Sequence, residues 1–188
     1  MPEMDALLRT VTKVTAALRG RGIPFALTGG CAVFARGGPT SEHDVDVLVR
    51  EQDVTHALHA LVVVGMRAAK PPEDWLLKAY DGDRLVDLVF RSAGQPVTDE
   101  MLAGAEELRV GSMMVPVMPA TFLVVDKLLV LDSHHCDFAE LLPVVRLLRE
   151  QVDWPRVRER TADSPYAQAF LFLAERLGIM PPNQDVAA

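Results

Sequence analysis

Three aspartates carry the strongest chemical signal in the sequence. Asp44 and Asp46 stand two residues apart at the start of an apolar run, so on a β-strand both side chains point to the same face. Asp87 lies inside a second apolar run, where a carboxylate is costly to bury unless it is paired or binds a metal. If the two strands are neighbours, the three carboxylates come together. Such a set suits Mg²⁺, which prefers oxygen ligands and keeps substrate phosphates in its shell.

The chemistry that these aspartates favour is phosphoryl transfer. Two Mg²⁺ ions about 4 Å apart would hold the attacking and leaving oxygens of an in-line displacement. Asp87, as a ligand of one ion only, could also take the proton from the attacking hydroxyl. We therefore predict Asp44, Asp46 and Asp87 as metal ligands and as catalytic residues.

A glycine pair upstream supports this interpretation. Gly29 and Gly30 follow a short apolar strand and precede a short helix, so the backbone there can approach a phosphate closely. The alternative is that Asp44 and Asp46 open a strand on its solvent face while Asp87 pairs with a nearby arginine. The Asp-x-Asp motif alone favours that alternative, but the glycine pair and the mid-strand aspartate together favour a metal site.

The bulk composition is that of a globular protein. The chain has 188 residues, 49% of them hydrophobic and 24% charged, with a formal net charge of −7. This charge argues against broad non-specific binding of nucleic acid. The two cysteines, Cys31 and Cys136, imply no disulfide framework and favour the reducing cytoplasm. We expect no signal peptide and no membrane-spanning helix, because the apolar runs are too short.

The apolar spacing predicts a sheet half followed by a helical half. Strands are predicted over 25–28, 44–50, 75–80, 84–90, 108–110 and 113–117. Helices are predicted over 4–19, 31–36, 54–64, 120–131, 138–149, 154–160 and 165–177. We expect an α/β (α+β) fold with a mixed sheet flanked by helices at 1–118, a helical part at 119–180 and a loose tail at 181–188.

These motifs resemble a known fold. Gly-Gly, a spacer, Asp-x-Asp and a lone aspartate on a later strand are similar to the nucleotidyltransferase fold of the polymerase-β type. Within that superfamily the chain looks like the AbiEii/MenT-type nucleotidyltransferase toxins, over about residues 23–179. The segment TFLVVDKLLVLDSHHCDFAELLPVVR, residues 121–146, resembles their helical part. There Lys127 matches a lysine that contacts the triphosphate, and Asp137 matches a further acidic residue.

The resemblance implies a reaction and its site residues. An NTP binds with its triphosphate over Gly29 and Gly30, an acceptor hydroxyl attacks the α-phosphate, and pyrophosphate leaves. Lys127, which is thereby also a predicted catalytic residue, and Arg36 would neutralise the triphosphate. Many superfamily members have Gly-Ser, with the serine touching the triphosphate. This chain has Gly30-Cys31, so the nucleotide contact at Cys31 is expected from the backbone alone.

The acceptor is less defined than the donor. The toxin resemblance implies a tRNA 3′ end, with the protein acting as the toxin of a toxin–antitoxin pair beside a cognate antitoxin. His43, directly before Asp44, resembles a His-Asp stretch in aminoglycoside and lincosamide nucleotidyltransferases, which modify cationic small molecules. A third alternative is a non-catalytic nucleotide-binding partner module, which the intact aspartate set disfavours. In toxins of this type a hydroxyl near this loop can be phosphorylated, so Thr40 and Ser41 are possible regulatory phosphosites.

Two further clusters have simpler explanations. Residues 133–137, Ser-His-His-Cys-Asp, contain metal-ligand types, but no second cluster completes a zinc site, and an exposed turn between helices is favoured. Five arginines concentrate in the helical half and fit either an RNA-binding patch or ion-paired helix faces. They are Arg146, Arg149, Arg156, Arg158 and Arg160.

Overall fold

The computed structural model of the protein describes residues 2–39 and 44–182. The predicted positions Thr40, Ser41 and His43 lie outside the described residues, as does most of the predicted tail at 181–188. The chain divides into two compact units with the boundary between Pro119 and Ala120.

The first unit is built on a mixed sheet of seven strands among the described residues. These are β1 Phe25–Leu27, β2 Asp44–Val49, β3 Arg67–Ala69, β4 Leu76–Asp81, β5 Arg84–Val89, β8 Glu106–Val110 and β9 Met113–Val117, in the spatial order β3-β4-β5-β2-β1-β9-β8. The β2–β5 and β1–β9 pairs are parallel and the other pairs antiparallel. Strands β6 Arg91–Ser92 and β7 Gln95–Pro96 form a separate hairpin.

Four helices belong to this unit. They are α1 Pro2–Gly20, α2 Gly29–Ala35, α3 Val54–Val63 and α4 Asp99–Ala103. Helix α1 buries Leu7, Val11, Val14 and Leu18 along one stripe, as its apolar spacing predicts. The mixed sheet flanked by helices confirms the predicted fold class.

The second unit is helical. It contains α5 Ala120–Leu129, α6 Phe138–Leu148, the 3₁₀ helix Arg149–Gln151, α7 Trp154–Arg160 and α8 Pro165–Arg176. The side chains of Asp153 and Ser164 cap α7 and α8 by accepting hydrogen bonds from backbone N–H groups of those helices. The rings of Phe138 and Phe170 meet edge to face at 5.2 Å in its core. No helix in the described part of the chain is long and apolar enough to cross a membrane.

The structure differs from the predicted elements in several places, among them the unpredicted β6–β7 hairpin, whose strands have only two residues each. Helix α2 starts at Gly29 rather than at residue 31, so the glycine pair forms its first turn. Strand β3 was not predicted because it is short and mostly exposed, without alternation. Helix α4 has only five residues, too few for a periodic pattern, and is stabilised by Thr98, whose hydroxyl accepts a hydrogen bond from the Met101 N–H.

Candidate active site

Strands β2 and β5 bring the aspartates to one face of the sheet. They pair in parallel with Asp46 opposite Asp87, so these two side chains point to the same side. Asp44, two residues before Asp46 on β2, shares that face. The two strands are therefore neighbours, which is the condition that the sequence analysis set for bringing the aspartates together.

Asp87 has the least favourable electrostatic environment of the set. The residue is only 9% exposed, and its Oδ1 atom is buried with no hydrogen-bond partner in the described residues. Burial raises the pKa of the Asp87 carboxyl to about 6. The positive charge of Lys78 acts against this rise, while the negative charges of Asp44 and Glu73 add to it. An orphaned oxygen on a buried acid is the feature that a cation or a proton donor would satisfy.

Lys78 is a residue of the site that the sequence analysis missed. It lies on β4 directly opposite Asp87 in the antiparallel β4–β5 pair. Its ammonium is 3.5 Å from Oε1 of Glu73, in the segment before β4. A signal was available, because the two-residue turn Gly82-Asp83 fixes the hairpin register, and counting outward from it pairs Lys78 with Asp87.

The lack of a side chain at Gly29 leaves room for the Asp46 carboxylate. The φ of Gly29, +59°, lies in the left-handed region, and a Cβ added there would overlap Oδ2 of Asp46. In addition, the Thr28 N–H donates to the Asp46 carbonyl at 2.9 Å. The first turn of α2 therefore contacts Asp46. This contact brings the glycine pair and the Asp-x-Asp motif, which are separated in the sequence, to one place in the structure.

Replacing Gly29 with alanine is expected to lower the free energy of unfolding by about 3 kcal/mol, since left-handed backbone and overlap with Asp46 both penalise the new methyl group. Gly82→Ala is the matched control. Gly82 also has a positive φ, +65°, but a Cβ there meets nothing within 4 Å, so only about 1 kcal/mol should be lost. Urea denaturation of both variants measures the difference. Equal losses would show that the contact with Asp46 costs nothing.

Two other predicted nucleotide-binding residues make contacts within this unit. The Cys31 thiol is buried and donates to the Asp44 carbonyl at 3.3 Å. The Arg36 guanidinium, 5% exposed, donates to the carbonyl oxygen of Met118 at 2.6 Å and pairs with Glu106 at 3.1 Å. Arg36 thus ties the end of α2 to the end of β9. The nucleotide contacts expected of Cys31 and Arg36, and those of Gly29 and Gly30, stay predictions.

The remaining candidates lie in the second unit. Lys127 is half-buried in the last turn of α5, and its triphosphate contact stays a prediction. The Asp137 carboxylate caps α6 by accepting from the Ala139 N–H at 2.8 Å, and the two histidines before it are exposed, as favoured for this turn. Among the arginines, Arg149 and Arg158 form ion pairs with Glu150 and Glu175.

A complete metal cage is not preformed. Within residues 2–39 and 44–182, no three His, Cys, Asp or Glu side chains come close enough to hold a metal ion by themselves. The three aspartates share a face, where like charges repel, and Lys78 lies beside Asp87 on the neighbouring strand. Their role as ligands stays a prediction that depends on further oxygens from a bound molecule.

Solved structures of other proteins share this arrangement of helices and strands. The solved structure of ANT(2″)-Ia in complex with adenylyl-2″-tobramycin has a TM-score of 0.62 with this protein at 18% identity, over 89% of this chain and 98% of that one. An antigenic nucleotidyltransferase-like protein from Paracoccidioides brasiliensis has a TM-score of 0.51 at 16% identity, over 90% and 88%. These likenesses show a shared fold. No curated protein matches the chain significantly.

A family model gives the assignment. The model described as an uncharacterised nucleotidyltransferase matches residues 4–178, which include most of both compact units and all three aspartates. The motifs, the sheet that presents them and this match agree, and the chain therefore belongs to this nucleotidyltransferase family.

Proposed function

We propose that the protein moves a nucleoside monophosphate from an NTP to an acceptor hydroxyl and uses Mg²⁺ held by Asp44, Asp46 and Asp87. One observation carries the proposal: Asp46 and Asp87 are register partners on adjacent parallel strands, and Asp87 has a buried oxygen without a partner in the described residues. The acceptor oxygen forms a bond to the α-phosphorus while the bond to the bridging oxygen breaks, and pyrophosphate leaves. The hydroxyl proton goes to Asp87.

The donor set fits a divalent cation. All three ligands offer hard carboxylate oxygens, and Mg²⁺ commonly binds one or two carboxylates plus substrate phosphates. When bound, the metal would polarise the α-phosphate and neutralise charge on the leaving group. Since three side chains do not converge by themselves in the described part of the chain, the phosphates of the nucleotide would complete the shell.

The other site residues would hold the nucleotide. Gly29 borders the Asp46 carboxylate. The backbone of Gly29, Gly30 and Cys31 would face the triphosphate. Arg36 would act mainly by fixing α2, because its guanidinium already binds backbone carbonyls. Lys127 is included as a triphosphate contact on the strength of the family resemblance.

For the acceptor we propose first the 3′ end of a tRNA, with the protein acting in the cytoplasm as a toxin controlled by a cognate antitoxin. The support is the resemblance of residues 121–146 to the AbiEii/MenT-type toxins. Under this proposal a phosphate on Thr40 or Ser41, four and three residues before Asp44, would add negative charge beside the metal ligands and oppose NTP binding.

A small-molecule acceptor is the second candidate. The ANT(2″)-Ia structure that shares this fold contains adenylyl-2″-tobramycin, and the net charge of −7 suits a cationic acceptor. A non-catalytic nucleotide-binding module is the third candidate, and the three intact aspartates argue against it.

Transfer of label from a radioactive NTP distinguishes the three candidate functions. The protein is incubated with each α-³²P-NTP and Mg²⁺, together with total tRNA or with a panel of aminoglycosides and lincosamides. Asp83→Asn, a change in an exposed turn, is the matched control for loss of a catalytic aspartate. Label on tRNA, with growth arrest on expression that Asp44→Ala abolishes, supports the toxin. Label on a drug and never on RNA supports the second candidate. Bound nucleotide without any transfer supports the third.

A further inference from the structure

Lys78 completes a row of charges across three strands. In the sheet, Lys78 on β4 is the register partner of Asp87 on β5, and Asp87 is the partner of Asp46 on β2. Register partners point to the same side of a sheet, so one cation and two carboxylates lie side by side. This basic residue is thus built into the aspartate face by the hairpin register.

The surroundings of Lys78 leave its ammonium only loosely paired with Glu73. Its side chain is only 20% exposed, and lysine is rarely buried unless it is paired. The Glu73 oxygen at 3.5 Å is at the far limit of a hydrogen bond. The second oxygen of Glu73 is buried without a partner in the described residues. Such a loose pair leaves the ammonium able to act on Asp87 as well.

The balance of charges around Lys78 indicates what its ammonium group could do. The charges of Lys78, Asp44 and Glu73 act on Asp87, and Asp46 is the register partner of Asp87 on β2. Four carboxylates therefore lie near Lys78, the only lysine of β4. With the positive charge of Lys78 beside these four carboxylates, the site has a net excess of three negative charges. Without Lys78 the excess is four. A divalent ion is attracted less strongly by the smaller excess, and incoming phosphates restore the missing negative charge.

We propose that Lys78 is a positioning residue that offsets the charge of the aspartate site, so that the divalent cation binds together with the nucleotide phosphates and not before them. This inference rests on the proposed metal-dependent transfer and adds to it the residue that makes metal binding depend on nucleotide.

Binding of Mn²⁺ alone, measured by the loss of its free electron paramagnetic resonance signal, tests the inference without any turnover. The titration is run at pH 8.5 with and without an α,β-methylene NTP. Lys78→Met keeps the length of the stem and removes the charge. We expect it to bind Mn²⁺ about tenfold more tightly without nucleotide, and to gain correspondingly less from the analogue. Lys78→Arg should behave like the wild type, as should Lys70→Met, a matched change at an exposed lysine.

Glu73→Gln supplies an opposite change should Lys78→Met fail to fold. It removes a negative charge, so Mn²⁺ binding should weaken several-fold. Unchanged Mn²⁺ affinity in whichever variant folds overturns the role of Lys78. If the wild type binds Mn²⁺ with the analogue and transfers label, that result leaves the proposed function standing. If wild type and variants alike bind no Mn²⁺ even with the analogue, the metal-dependent function fails and the role of Lys78 fails with it.

Discussion

Asp87→Asn is expected to make the protein more stable at neutral pH and to reduce nucleotide transfer by about a thousandfold or more. Transfer falls because asparagine neither accepts the hydroxyl proton nor offers a charged oxygen to a cation. Stability rises because the amide has nearly the same shape and removes a buried charge. Lys78 keeps Glu73 as a partner in this variant. A gain of stability with a loss of activity is typical of a functional group held in an unfavourable environment.

The pH dependence fixes the sign of the stability change. The pKa of Asp87 in the folded protein, about 6, is above its ordinary value of 3.8, so ionisation is penalised only in the folded state. Below pH 3.8 both states carry the proton and the penalty is absent. It grows as the pH rises through this interval and is complete above pH 6. A shift of this size corresponds to a penalty on the order of 3 kcal/mol at about pH 7.5.

Urea denaturation of the wild type and Asp87→Asn at pH 7.5 and pH 4.0 measures this directly. The variant should exceed the wild type in free energy of unfolding at pH 7.5, and the advantage should shrink at pH 4.0. Asp83→Asn, in the exposed β4–β5 turn, should change neither value. A variant that is less stable at pH 7.5 would show that Asp87 is stabilised by its neighbours and is not held there at a cost.

Some of this site could be predicted from the sequence because it depends on backbone periodicity. Alternation along a strand places Asp44 and Asp46 on one face, and an isolated aspartate in an apolar run identifies Asp87 as costly. These are properties of short segments, which local reasoning captures well.

Other parts depend on contacts between distant segments. The guanidinium of Arg36 reaches carbonyls more than eighty residues away, and no local pattern distinguishes such an arginine from a phosphate ligand. The contact of Gly29 with Asp46 likewise depends on how two strands meet. Lys78 is intermediate, since the turn fixes its register but its importance becomes clear only when β5 is known to pair with β2.

Asp46→Ala is expected to abolish detectable transfer, with a loss of at least about a thousandfold, because it removes a charged metal ligand beside the nucleotide. It should also change the effect of Gly29→Ala. The Cβ that Gly29→Ala adds would overlap chiefly with the Asp46 carboxylate, since it meets Oδ2 and stands 2.7 Å from the carboxyl carbon. Of these three nearest atoms, Asp46→Ala keeps the Asp46 Cβ, 2.9 Å away, and removes the two of the carboxylate.

A double-mutant cycle in urea therefore tests the geometry of the site separately from its chemistry. Gly29→Ala should cost about 3 kcal/mol in the wild type and about 1–2 kcal/mol in the Asp46→Ala background, where mainly the cost of positive φ persists. Gly82→Ala, whose added methyl group contacts nothing, should cost the same in both backgrounds. If Gly29→Ala costs as much in the Asp46→Ala background as in the wild type, the carboxylate does not lie against Gly29. The first turn of α2 and the second aspartate would then not form the joint phosphate-and-metal site that the proposed reaction requires.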